Sequence, residues 1–137
     1  MYQRSILGLD DARKALDAVL LEAAQEPQRP IAVVLVDADG DVIVSARMDK
    51  VGHLPRDMAY RKAFTAARLG TDTDGLVGNL RASGVNIEDL GDRRFVGIAG
   101  GVSIRSGATV IGAIGVSGRT AEEDDALARS GAATLGP

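Results

Sequence analysis

The chain has 137 residues, 45% hydrophobic and 26% charged, with sixteen basic and nineteen acidic side chains and a formal charge of −3. That size bounds it to one globular domain over residues 1–137, and the lack of a basic block or aromatic–basic platform argues against nucleic acid. Cysteine is absent, which excludes disulfides, thiolate metal sites and cysteine nucleophiles and fits a reducing compartment.

The N-terminal stretch has no apolar signal core, because Asp10 and Asp11 interrupt it. No segment approaches the length of a membrane span, so a cytoplasmic protein that does not engage the membrane is expected. The first helix is marked by Ala12, Ala15, Leu16, Val19, Leu20, Ala23 and Ala24 at three- and four-residue steps. Asp10 is its expected N-cap, and Pro27 and Pro30 end it. Residues 31–36 form a continuous apolar, β-branched run, and the DADGD that follows reads as a hairpin turn at Asp39-Gly40. In the next strand Val42, Val44, Ala46 and Met48 alternate with Ile43, Ser45, Arg47 and Asp49, which places Arg47 and Asp49 on the less apolar face.

Pro55 suits the first turn of a second helix running to about Leu69, with Met58, Ala59, Ala63, Ala66 and Ala67 as its buried stripe. A short helix capped by Thr73 is expected within 71–83 and an exposed loop over 84–94. Strands follow at 95–99 and 108–116, then a last helix at 122–133. The order α-β-β-α-(α)-β-β-α describes an α/β (α+β) domain with a mainly antiparallel sheet and packed helices.

Three motifs invite chemistry. DADGD has its glycine at the fourth position, and Met48 falls where an EF-hand needs glutamate, so it reads as a hairpin. GVSG at 115–118 matches neither nucleotide-binding glycine pattern. The helix after it opens Thr120-Ala121-Glu122-Glu123, a capping box whose acids occupy the place of a phosphate. His53, the only histidine, stands in VGHLPRD before the second helix and offers a general base or a haem iron ligand. The interval from Arg47 to Thr65 concentrates polar residues among small ones. Either another element packs closely there, or a ligand carboxylate meets Arg47 and Lys62.

Four stretches together resemble one family: AVVLVDADGDVIVSARMDKVG, AYRKAFTAARLGT, GIAGGVSI and VIGAIGVSGRTAEEDDALARSG. In this order they are similar to the GlcG/HbpS-like haem-binding family, which includes the C-terminal domain of PduO-type proteins. The resemblance covers about residues 10–133. It implies a five-stranded antiparallel sheet of profilin-like or PAS-like architecture and homo-oligomers from dimer to octamer. It also implies a haem or related tetrapyrrole ligand. By the motifs, Lys62 and Thr65 match K-A-x-T-A, Arg47 and Asp49 match R-M-D, and Gly100, Gly101 and Ser117 match the glycine pairs beside the sheet.

Two departures from the family pattern stand out. Gly100-Gly101-Val102-Ser103-Ile104 lacks the family's usual proline, and Lys50 to Pro55 replaces a stretch of small residues. On the haem reading, Arg47 or Lys62 pairs the propionates, and His53, Met58 or Tyr60 is the candidate iron ligand. A second reading is a catabolic enzyme (hydrolase, deaminase, lyase or isomerase) acting on an organic acid or amine. There Arg47 or Lys62 holds a carboxylate and Asp49 or His53 is the acid–base group. The third is a non-catalytic oligomeric accessory protein.

Overall fold

A computed structural model describes residues 1–136. In chain order the elements are α1 (Leu9–Ala23), β1 (Ala32–Asp37), β2 (Val42–Arg47), α2 (His53–Leu69), α3 (Leu76–Ala82), a 3-10 turn (Ile87–Leu90), β3 (Gly101–Ser106), β4 (Thr109–Ser117) and α4 (Ala121–Ala133). The strands form one antiparallel sheet in the order β2-β1-β4-β3. Two hairpins are thus joined along β1 and β4, with Ala32 opposite Ser117 and Asp37 opposite Gly112.

The unbroken apolar run of β1 is explained by burial on both sides of the sheet. Val33 and Leu35 pack with Ala12, Ala15, Val19, Leu127 and Ala128 from α1 and α4. Ala32, Val34 and Val36 pack with Ala59, Ala63, Ala66 and Ala67 of α2. The period-2 alternation of a strand sorts its side chains between two layers of helix. The alanine stripe of α2 is therefore used inside the chain, against the sheet, and its small side chains set a close helix–sheet approach.

In the first hairpin Asp37 Oδ1 accepts from the amides of Asp39 (2.9 Å) and Asp41 (3.1 Å). Gly40 takes the left-handed φ of +89°. The three aspartates of this turn come together, but Asp39 is engaged by both terminal nitrogens of Arg4 and Asp37 by the turn amides, as a hairpin requires.

Several local expectations are corrected. The sheet has four strands among the described residues, not five. Residues 95–99 do not join it, because the segment is laid on α2. Val96 N–H donates to Thr65 Oγ1 at 3.0 Å, and the Phe95 ring lies 5.3 Å from that of Phe64. The third strand begins instead at Gly101. Gly8, not Asp10, caps α1, and Asp10 and Asp11 lie in its first turn, where they complement the helix dipole. The short helix is capped by Gly75 rather than Thr73. Thr73 Oγ1 donates to Ile98 O (2.7 Å) and accepts from Gly101 N–H (2.9 Å). Among the described residues no helix is long and apolar enough to cross a membrane.

The capping box of α4 forms as expected: Glu123 N–H donates to Thr120 Oγ1 and Thr120 N–H to Glu123 Oε1, each at 3.2 Å. Glu123 also meets both terminal nitrogens of Arg29. Arg29, then Thr120, holds the Glu123 carboxyl well below the usual carboxylate range, at about 2. Between that value and the ordinary glutamate range the unfolded chain binds more protons than the folded one, so stability falls as pH falls through this window. Chemical denaturation at stepped pH is expected to show this acid limb, and Arg29→Gln is expected to flatten it.

Candidate functional site

Lys62 lies on the sheet-facing side of α2 and is only 2% exposed. Its stem passes Gly100, whose φ is +127° and where a Cβ would stand 2.8 Å from Nζ and 2.6 Å from Val116 O. A Cβ on neighbouring Gly101 would collide with the Lys62 carbonyl. The glycine pair thus leaves the room that brings a lysine under the end of β4. There Nζ donates to Val116 O at 3.0 Å and to Asp124 Oδ2 at 3.2 Å. Asp124, on the first turns of α4, also accepts Arg119 N–H through Oδ1 at 2.9 Å and is 2% exposed. Burial pushes the Lys62 ammonium below the ordinary lysine range, and the charge of Asp124 offsets part of that.

Sequence reasoning missed Asp124. It stands in a run of four acids, and nothing in the pattern separates it from the helix-capping acids around it. Its neighbours in GVSGRTAEEDD have structural duties as well. Gly118 takes φ +140° against the Pro30 carbonyl. The Arg119 guanidinium donates to Ala23 O and Arg29 O, both at 2.9 Å, and so holds the end of α1.

Above the lysine–aspartate pair an open groove of about 320 Å³ runs between the start of α2 and the start of α4. Leu54, Pro55 and Met58 form one wall, Ile98 another, and Ser117 and Ala121 the far side. Leu54 is 66% exposed and Ile98 47%, so the rim presents large apolar side chains to solvent. A larger depression of about 550 Å³ lies near the 3-10 turn, walled by Arg61, Glu88, Asp92 and Arg93 around Ile87 and Phe95. It contains none of the residues carried by the family motifs, and the groove beside α2 contains Lys62 and Ser117.

The remaining predicted residues are dispersed. Thr65 faces away from the groove: its hydroxyl donates to Arg61 O at 2.8 Å and accepts from Val96 N–H. Tyr60 accepts a hydrogen bond from Arg94 at 3.1 Å. His53 is the first residue of α2 rather than part of the loop before it; it is exposed, and its Nδ1 lies 3.4 Å from Arg56 Nη2. Arg47 and Asp49 line a different cavity, with Arg56. Arg47 and Lys62 therefore do not face a common space, and a single carboxylate held by both is not assembled.

Two helix layers on a four-stranded antiparallel sheet, with three of the recurring motifs converging on one buried lysine, define a compact α+β domain whose glycines serve close packing. The chain belongs to the HbpS-like family: the family profile, described as "Haem degrading protein HbpS-like", matches residues 7–133. It is 32% identical to an uncharacterised 15.0 kDa protein of the dhaT-dhaS intergenic region of Citrobacter freundii, over 93% of this chain and 91% of that one. It is 30% identical to the corrinoid adenosyltransferase PduO of Salmonella typhimurium over 88% of this chain, but spans only 36% of PduO. Among solved structures it resembles an HbpS double mutant from Streptomyces reticuli (TM-score 0.87, 33% identity, 100% of this chain and 92% of the other). It also resembles a PduOC:heme complex (TM-score 0.84, 27% identity, 96% of each chain).

Proposed function

We propose that this protein binds haem or a related tetrapyrrole in the groove beside the N-terminal half of α2, within a homo-oligomer. The supporting observation is the groove itself: an apolar slot with Leu54 and Ile98 exposed on its rim, in a chain whose fold matches a haem complex. A flat, largely apolar macrocycle suits such walls, and haem supplies an iron centre for ligand or redox chemistry when bound.

Met58 is the one of the three iron-ligand candidates that lines the groove, and thioethers are among the side chains that hold haem iron. Lys62 is committed to Asp124, so its part is to join the two walls rather than to meet a propionate. At about 320 Å³ and open, the groove lies at the low end of ligand-site sizes, so one chain covers a tetrapyrrole only in part. A second copy over the rim completes the enclosure and accounts for the exposed Leu54 and Ile98.

Titrating haemin into the purified protein is expected to give a saturable, shifted Soret band, with native mass measurement placing the haem in a dimer or larger assembly. Leu54→Asp, at an exposed position, and Met58→Ala are each expected to weaken binding while the fold is retained. An unshifted spectrum at stoichiometric protein overturns the reading.

A further inference from the structure

We propose that Arg47 and Arg56 form a second site, separate from the groove, that binds the carboxylate of a small organic acid. Five of the chain's thirteen arginines already have an acid: Arg4, Arg29, Arg61, Arg94 and Arg129 each pair with an aspartate or glutamate. Arg47 and Arg56 make no such pair among the described residues, yet they face the same space. They jointly line two adjoining cavities of about 290 and 370 Å³ at the end of β2.

The Arg56 side chain is also under-satisfied. Its Nε is buried and has no hydrogen-bond partner, and its Nη2 meets only His53 Nδ1, at 3.4 Å. A buried donor left unpaired is costly and calls for an acceptor. A small shift of the Arg56 side chain lets a carboxylate between the two arginines provide one, and the planar guanidinium fork matches its two oxygens.

The surroundings favour an organic anion over a bare inorganic one. Ala32 and Val34 of β1 floor the smaller cavity, beside Ser45. Lys50 lines the larger one and is, among the described residues, the only non-glycine at positive φ, +70°. Backbone held in that region is uncommon for a long side chain and tends to persist where a site requires it. Against three cations the cavities hold one carboxylate, Asp49. Apolar floor, hydroxyl and paired guanidinium groups fit a short-chain mono- or dicarboxylate.

These two cavities and the groove beside α2 share no lining residue, so this site does not depend on haem binding. The test uses haem-free, full-length protein at constant ionic strength, with succinate, acetate and inorganic phosphate as probes in calorimetric titration. Saturable binding of succinate or acetate is expected, with Arg47→Gln and Arg56→Gln each weakening it roughly tenfold or more. Neither arginine has an internal acidic partner to lose, so both variants are expected to keep the parent melting temperature and haemin response. No saturable carboxylate binding overturns the proposal. So does binding unchanged in both variants, saturation by phosphate alone, or loss of haemin binding in the same variants.

Discussion

Replacing Lys62 by methionine is expected to lower the free energy of unfolding by about 3–5 kcal/mol, the range for removing one member of a buried ion pair. The substitution keeps the length and apolar character of the stem, so packing against Gly100 and Gly101 is largely preserved. What is lost is the ammonium. Asp124 then remains 2% exposed with the Arg119 amide as its only partner, and Val116 O loses its lysine donor. Removing both charges, as Lys62→Met with Asp124→Leu, is expected to recover most of the loss, because well-packed apolar pairs often replace buried ion pairs at little cost. Urea unfolding of the two single variants and the double variant gives the coupling directly. Additive losses would show that the pair does not act as a unit.

Gly115→Ala is expected to cost at or above the upper end of the roughly 1–3 kcal/mol typical of overpacking. Gly115 is on β4, directly under α2, and a Cβ there would run into Ala59 O and come within 2.7 Å of Ala63 N and 3.0 Å of Ala63 Cβ. Two of the obstructing atoms are backbone, so relief requires the helix to lift from the sheet rather than a rotamer to change. Because α2 carries one wall of the groove, that shift is expected to weaken haemin binding along with stability. Gly107→Ala is the control: unlike Gly115, that glycine has a positive φ (+62°), so alanine there carries backbone strain, but nothing lies within 4 Å of its missing Cβ. A Gly115→Ala protein as stable as the Gly107→Ala control would refute the close-approach argument.

The fold was legible where periodicity and burial coincide. The three-and-four spacing of α1, the continuous apolar run of β1 and the Thr120–Glu123 capping box all form as read. Residues 95–99 were not legible, since an apolar β-branched segment looks alike whether it pairs in a sheet or lies on a helix. The Thr65 and Phe64 contacts that decide between these come from a different part of the chain. The same limit governs the site. Lys62 and Ser117 were visible as motif residues, but Asp124 gains its meaning only when α4 is brought beside α2. Arg56 carried no motif at all; its significance comes from lacking a partner in three dimensions, and no local pattern encodes that.

The joining of the two hairpins has a kinetic consequence. β1 closes on β2, and β3 on β4, over short turns, whereas β1 meets β4 only after most of the chain has been made. Contacts between distant segments are slow to form because the loop entropy must be overcome first. During synthesis the free edge of AVVLV at 32–36 therefore waits for a partner that emerges near the end. Completion of that one strand pairing is the step that turns two separate ribbons into a cooperative unit and removes an aggregation-prone edge from solvent.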